Sequence, residues 1–354
     1  MTPRDVRCRS SLFFSLPPSP RKDLPIVSTA KPDNHEQIDV TGHLHRRVPT
    51  AADLARRLPL AITERDTAML AGIALHGYLT VELVQAAFFP ATDHRHTAQC
   101  THAHERLRQF WLWGYLDRIE LPVPRGFAGR KAGLYGLTNF GLRYLRQQPA
   151  ATEGRPFRPR SDRKNPLFVP HDLEVAALWA NLQPLLATGQ LTHCRWVPER
   201  LLRGRKLRVK EAGTGTWLPV VPDAYVELTY PDDAVQCCMV EIDRGTHTLD
   251  AFARKMRAFE AYWASGKFSR HWQRPAFEVL VLTHTQKRLE NIWAASRAVV
   301  PADAWSWYSF ATFGSLTPAK FSESVWRTLE DRHVSLLYSY ESTTGGATCT
   351  GHST

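Results

Sequence analysis

The segment VQCCMVEIDRGT, residues 235–246, decides how the second half of the chain is interpreted. Residues 235–242 are apolar enough to favour a buried β-strand, and acidic side chains stand at the end of that strand. Because side chains alternate along a strand, Glu241 and Asp243 are expected on the same face. Pro222-Asp223 opens or interrupts the preceding strand. The pattern therefore predicts a group of carboxylates at adjacent strand ends.

The elements around this segment follow the order α-β-β-β-α-β-α. Thr246 or Thr248 is expected to cap the helix after it. Phe277–Thr283 is a continuous apolar run, and such strands are usually buried in a sheet with helices on both faces. The other predicted elements are helices over His171–Ala187, Leu249–Ser265 and Gln286–Val299, and strands over His193–Leu202, Leu218–Leu228 and Val235–Ile242. We expect an α/β domain with a mixed central sheet over residues 166–330.

Clustered carboxylates suit a hard cation such as Mg²⁺. The predicted ligands are Asp223 and Glu241, with Glu174 as a third carboxylate from the first helix. Asp243 would assist them, and Lys255 on the following helix would orient an attacking water or screen a phosphate.

Carboxylates at adjacent strand ends with a nearby lysine are the arrangement found in PD-(D/E)xK nucleases. This sequence departs from it at one position, because the strand carries Glu-x-Asp where Glu-x-Lys is usual. Lys255 is the nearest candidate lysine, and Arg244 is the alternative cation. Two readings stay open. The domain is either a Mg²⁺-dependent DNA endonuclease, or an inactive nuclease fold in which Asp243, Arg244 and Lys255 form a structural ion-pair network.

Residues 60–147 predict a winged helix-turn-helix. Thr63 with Asp66 resembles a capping box at the start of a first helix, and Thr80 can cap a second. A third helix is expected from about Asp93 to Trp113. Strands over Tyr115–Leu121 and Leu134–Leu137, with a basic tip between them, and a helix from Asn139 complete the order.

The third helix and the basic tip of the hairpin are the expected DNA-binding surfaces, in a major groove and along the neighbouring backbone. Ala103, Leu107 and Phe110 share the inward face with Cys100. The predicted DNA-facing residues are Arg95, Gln99, His102 and Arg106 on the helix, and Arg125, Arg130 and Lys131 on the tip. A solvated helix face in a protein-interaction module is the alternative. A zinc site from the nearby histidines and Cys100 is disfavoured, because residues two apart on a helix diverge.

The flanking regions have compositions typical of tails and linkers. Residues 1–58 predict a disordered arm, 148–165 a basic linker and 341–354 a flexible tail. A further basic run, which straddles a predicted hairpin, is a candidate phosphate track against the alternative of a solvated loop. It comprises Arg200, Arg203, Arg205, Lys206, Arg208 and Lys210.

The charge balance points to a polyanion. Lys and Arg number 45 against 34 Asp and Glu, a net charge of +11, so double-stranded DNA is the expected partner. Arginine enrichment also arises from GC-rich coding, which stays open as the alternative. No apolar run approaches the length that a membrane helix needs, so we expect no membrane partner. The six cysteines lack CxxC spacing, which favours a reducing cytosol, where the protein would lie near nucleoid or plasmid DNA. A homodimer is a further open alternative.

Taken together, these residues resemble the replication-relaxation family of plasmids and other mobile elements, common in actinobacteria. The segments that carry the resemblance are 63–71, 134–141, 171–173, 222–224 and, most specifically, 241–246 with Lys255. The resemblance implies a DNA-binding winged helix with a role in plasmid replication, DNA relaxation or transfer, beside other plasmid replication or transfer proteins. It does not imply nuclease activity.

Overall fold

The chain folds as a mixed α+β protein. The computed structural model describes residues 45–89, 96–120, 133–148, 168–211 and 213–337, with the backbone alone at 45–46, 96–101 and 319. The predicted linker, the tip of the predicted wing and the predicted tail at 341–354 lie almost entirely outside these ranges.

The N-terminal part packs helices on a small antiparallel sheet whose strand order is β1-β3-β4-β2. Its strands are β1 (His45–Arg47), β2 (Leu79–Thr80), β3 (Leu116–Glu120) and β4 (Gly133–Leu137). Its helices are α1 (Ala51–Ala55), α2 (Glu64–His76), α3 (Val81–Phe88), α4 (His96–Leu112) and α5 (Asn139–Arg146).

Local sequence signals fix where these helices begin. Thr63 and Asp66 form the expected capping box of α2, and Thr80 caps α3. The inward face of α4 is also as expected, because Ala103, Leu107 and Phe110 are fully buried.

The prediction of a disordered arm over residues 1–58 is wrong for its C-terminal portion. Strand β1 pairs antiparallel with β3, so it completes a sheet edge that would otherwise be open. Trp111 donates its indole N–H to the carbonyl of Arg47 at 2.9 Å, and Thr50 forms a capping box with Asp53 at the start of α1. These contacts come from distant parts of the chain, which a local pattern does not reveal.

The C-terminal part is built on a seven-stranded mixed sheet of order β13-β12-β11-β10-β9-β8-β5. Strands β9, β10 and β11 are parallel, and the flanking pairs are antiparallel. The sheet strands are β5 (His193–Pro198), β8 (Ala224–Thr229), β9 (Val235–Asp243), β10 (Glu278–Thr283), β11 (Tyr308–Thr312), β12 (Trp326–Thr328) and β13 (His333–Val334). A separate hairpin consists of β6 (Arg208–Lys210) and β7 (Trp217–Pro219).

Helices cover both faces of this sheet, as the apolar strands predicted. The helices are α6 (Val169–Ala187), α7 (Glu199–Leu202), α8 (Leu249–Ala264), α9 (Lys267–Trp272) and α10 (Gln286–Arg297). Residues Cys238, Val240 and Ile242 of β9 join a hydrophobic cluster with α6, whereas Cys237 and Met239 join a second cluster with α8 and α10.

The two parts of the chain share the first of these hydrophobic clusters. Trp179 of α6 packs against Phe88 of α3, with ring centroids 5.8 Å apart. Tyr78 donates its hydroxyl to Asp172 at 2.8 Å, and Arg200 donates to the last carbonyls of α2, at Ala74 and Leu75. A core and polar contacts therefore join the two parts.

Two predicted strands are wrong in extent. The run His193–Leu202 ends as a strand at Pro198, after which α7 begins. Leu218–Leu228 is divided between β7, which pairs with β6, and β8, which lies in the main sheet. The C-terminal part also continues past residue 330, since β13 and the buried Leu336 and Leu337 belong to it. None of the described helices is long and apolar enough to cross a membrane.

Candidate functional site

Sheet pairing brings Asp223 beside Glu241. Ala224 lies opposite Val240 in the antiparallel pair of β8 and β9. The backbone N–H of Asp223 donates to the carbonyl of Val240 at 2.9 Å. The carboxylate of Asp223 in turn accepts the N–H of Ile242 at 2.7 Å. Asp223 is thus held on both sides of Glu241 along the backbone of β9.

Lys255 reaches the same place from α8. Thr248 caps this helix, and Lys255 donates from Nζ to Glu241 Oε2. The side chain of Glu241 is 3% exposed, and that of Lys255 is 33% exposed. We call Asp223, Glu241 and Lys255 the carboxylate cluster.

Two further side chains border the carboxylate cluster, and the sequence reasoning did not select either of them. His171 of α6 lies with Nε2 3.1 Å from Asp223 Oδ1. Glu199 follows β5, and its N–H donates to the carbonyl of Asp223 at 2.8 Å. The signal for His171 was present in the segment 171–173 that carried the family resemblance. Nothing in the sequence marks Glu199 as a site residue, because it lies within the predicted strand His193–Leu202.

The pKa values of the two carboxyl groups in the carboxylate cluster are shifted in opposite directions. Burial raises the pKa of Glu241 well above its ordinary value, against the charge of Lys255. Burial alone would also raise the pKa of Asp223, but the charge of Lys255 and the hydrogen bond from His171 hold it below its ordinary value. Such divergence between neighbouring acids is typical of sites with distinct acid and base roles.

The basic groups respond to the same charges. Burial alone would lower the pKa of Lys255, but the charges of Glu241 and Asp223 raise it overall. Burial would likewise lower the pKa of His171, and the hydrogen bond and charge of Asp223 raise it. The lysine therefore stays protonated, and it balances a carboxylate charge that would be costly to bury alone.

Asp243 shares a face with Glu241, as predicted, but it has a different partner. Arg288 of α10 binds it through two hydrogen bonds of 2.7 and 3.0 Å, and also donates to the carbonyl of His247. This pair fixes the loop between β9 and α8. The alternative partner considered for Asp243, Arg244, instead donates to Glu174 at 3.1 Å.

Glu174 belongs to a separate group of side chains. Its Oε1 accepts from Arg244 and lies 3.0 Å from His284 Nε2. Among the described residues, no set of three or more His, Cys, Asp or Glu side chains has the geometry of a metal site. A three-carboxylate set of Glu174, Asp223 and Glu241 is therefore not formed in this conformation.

A smaller metal site fits the residues present. Glu241 Oε1 is buried and accepts no hydrogen bond from the described residues. Mg²⁺ is commonly held by one or two carboxylates, with water and substrate phosphate completing its coordination. The free oxygen of Glu241 and the neighbouring Asp223 match that donor chemistry.

The predicted DNA-facing residues are only partly described. His102 is exposed on α4. Arg106 instead turns toward α2, where its guanidinium binds Asp66, with Nε 2.9 Å from Oδ1, and contacts the carbonyl of Ala61. Only the backbone of Gln99 is described, and Arg95, Arg125, Arg130 and Lys131 lie outside the described residues.

The fold and the site define a mixed α+β protein that holds a buried pair of carboxylates against a lysine at one end of its main sheet. Residues 70–274 match the family model described as Replication-relaxation, which covers more than half of the chain. The chain belongs to the replication-relaxation family, and the resemblance noted in the sequence is confirmed. The family suggests a role in replication or relaxation of a plasmid or other mobile element. No match was found among curated proteins or solved structures.

Proposed function

We propose that this protein binds the DNA of a plasmid or other mobile element and cuts a DNA strand at the carboxylate cluster in a Mg²⁺-dependent reaction. The observation that carries the proposal is the convergence of Asp223, Glu241 and Lys255 from three separate elements. Buried charges are costly to maintain, so a carboxylate pair with a partly exposed lysine is a strong candidate for a reaction centre.

Each member of the carboxylate cluster has a role in this proposal. Asp223 and Glu241 would hold the metal, which supplies a Lewis acid for a phosphodiester oxygen. Lys255 donates its ammonium to Glu241, and from there it would orient the attacking water and offset negative charge on the phosphate. Hydrolysis would form a bond from the water oxygen to phosphorus and break the bond from phosphorus to the sugar oxygen. The water would release one proton to solvent, and the departing sugar oxygen would take one up.

The N-terminal part supports DNA recognition by a winged helix. Its order from α2 to β4 is helix, strand, two helices and two strands, and β2 pairs with β4. That order is the one expected of a winged helix-turn-helix, whose third helix enters the major groove. In this proposal the exposed side of α4, which includes His102, faces duplex DNA.

Strand nicking of supercoiled DNA with Mg²⁺ or Mn²⁺ tests the nuclease proposal. We expect Asp223→Asn and Glu241→Gln each to lower the nicking rate at least about 100-fold, because each removes a charge that stabilises the transition state. Asp250→Asn, an exposed acid on α8, is the matched control and should nick at the wild-type rate. Nicking that needs no metal, or that survives both substitutions, would rule the proposal out.

A non-enzymatic regulator or relaxosome accessory factor is the second candidate. One observation favours it: both oxygens of Asp223 and one oxygen of Glu241 already have protein partners. In that case the carboxylate cluster only stabilises the fold. Wild-type protein that binds DNA but never nicks it, together with variants of reduced stability, would support this candidate over the nuclease.

A further inference from the structure

The hairpin of β6 and β7 exposes an aromatic ring among cations. Arg208 lies opposite Pro219, and Lys210 lies opposite Trp217. The alternate residues Val209 and Leu218 are buried in the second hydrophobic cluster. The outer face of the hairpin therefore presents Arg208, Lys210 and Trp217 together.

Trp217 is 48% exposed. The guanidinium of Arg208 lies 5.2 Å from the centre of its ring. The ammonium groups of Lys210 and Lys267 lie 5.4 and 5.3 Å from the same point. Lys267 is also fixed by a hydrogen bond to the carbonyl of Arg208, so the three cations and the ring form one preorganised surface, which we call the Trp217 platform.

Three of the other four cations of this basic run contact groups within the protein. Arg200 binds the end of α2, and Arg203 pairs with Glu199 at 2.6 Å. Arg205 stacks on Trp272, whose ring is buried. Of the residues predicted as a phosphate track, Arg208 and Lys210 lie on the Trp217 platform.

We propose that the Trp217 platform binds single-stranded DNA. The exposed ring would stack on an unpaired base, while Arg208, Lys210 and Lys267 neutralise the adjoining phosphates. Aromatic rings set in basic grooves are the common means of holding single strands, since every base offers a π-face. A duplex keeps its bases stacked inside, so the ring would add little to duplex binding.

The Trp217 platform is linked through α8 to the carboxylate cluster, the site of the proposed function on which this inference rests. The hairpin packs on α8, the helix that supplies Lys255. Arg257, also on α8, binds Glu211 at the end of the hairpin strand at 2.8 Å. A single strand on the Trp217 platform would be bound by a hairpin that packs on the helix carrying Lys255.

Fluorescence anisotropy with a labelled single-stranded oligonucleotide, and with its duplex form, tests this inference without metal. We expect Trp217→Ala to weaken single-strand binding about tenfold and to change duplex binding less than about twofold. Trp217→Phe should restore most of the affinity, because the phenyl ring still stacks. Phe168→Ala, another exposed aromatic residue, is the matched control and should bind as the wild type does.

Unchanged single-strand binding by a folded Trp217→Ala variant would overturn the inference. Equal losses on single strands and duplex would also overturn it, since the platform would then be a general backbone contact. Thermal unfolding of each variant verifies that it is folded. Because binding is measured without Mg²⁺, a failure of this test can be distinguished from a failure of the nicking assay.

Discussion

At the scale of single residues, the ion pair of Arg106 with Asp66 shows that Arg106 packs two helices together. Its position on α4, in register with Arg95, Gln99 and His102, predicts a DNA contact. In the structure its guanidinium binds Asp66, which is 1% exposed. The same Asp66 also forms the capping box of α2 with Thr63. We therefore leave Arg106 out of the proposed DNA-binding face and assign it to the packing of α4 against α2.

This assignment predicts that Arg106→Gln reduces stability by about 3 kcal/mol, because it leaves the buried carboxylate of Asp66 without its cation. His102→Gln, on the exposed side of the same helix, should change the free energy of unfolding by less than about 0.5 kcal/mol. Urea unfolding measures both. A stable Arg106→Gln variant with weakened DNA binding would return Arg106 to the DNA-binding face.

The same pair predicts a pH dependence. Burial alone would raise the pKa of Asp66, but hydrogen bonds from Arg106 and Thr63 lower it below its ordinary value of 3.8. A lowered carboxyl pKa contributes stability above the unfolded-state pKa, and the contribution is lost as pH falls through the folded-state value. Wild type should therefore exceed Asp66→Asn in stability most at neutral pH, and the difference should shrink below about pH 4. A difference that grows on acidification would contradict the ion pair.

At the scale of elements, proline positions explain the two strands that were predicted too long. Pro198 is the last residue of β5, Pro219 is the last residue of β7, and Pro222 stands between β7 and β8. Proline cannot donate a ladder hydrogen bond, so a run that contains it argues against one central strand. These prolines are visible in the sequence, although the apolar pattern of each run favours one continuous strand. The partner of each strand piece is not readable locally, because β7 pairs with β6 while β8 pairs with β5 and β9 of the main sheet.

Helix α5 offers a test of close packing between elements. Gly141 lies in its first turn, and its N–H donates to the Thr138 cap at 3.1 Å. A Cβ at this position would overlap the carbonyl oxygen of Tyr115 and the side chain of Leu137. We expect Gly141→Ala to destabilise the protein by about 1–3 kcal/mol, measured by the denaturation midpoint.

Gly204→Ala is the matched control, because no described atom lies within 4 Å of the added methyl group. It should leave stability unchanged or raise it slightly through the unfolded chain. Equal stability of the two variants would mean that α5 is free to move away from Tyr115 and Leu137.

At the scale of the whole molecule, burial segregates charge. Every charged residue that is buried in the described part of the chain is acidic: Asp66, Glu174, Asp223, Glu227, Glu241 and Asp243. These acids are paired with basic side chains, and the chain as a whole still carries a net charge of +11. A net positive charge is suited to a polyanion partner.

This charge distribution predicts salt-sensitive binding to duplex DNA. Affinity should fall at least about tenfold between about 50 and 200 mM salt, since neutralised phosphates release counterions. Anisotropy titrations at several ionic strengths give the slope of log affinity against log salt concentration. If the Trp217 platform also contacts duplex DNA, this slope should be shallower for a variant that lacks Lys210, and otherwise it should be unchanged. An affinity independent of salt would contradict phosphate neutralisation as the basis of binding.

The sequence by itself determined the local elements and the candidate chemistry. Capping residues such as Thr63, Thr80 and Thr248 placed helix starts, apolar runs placed β9 and β10, and residues 241–246 with Lys255 identified the family. These features depend on neighbouring residues, so they can be read from a single chain.

Only the tertiary structure decided which side chains meet. It brought His171 to Asp223, directed Arg106 to Asp66 and Arg288 to Asp243, and separated Glu174 from the carboxylate cluster. It also added β1 to a sheet and joined both parts in one hydrophobic cluster. The physical reason is that ion pairs and packing are set by strand order and helix crossing, which link residues far apart in the sequence.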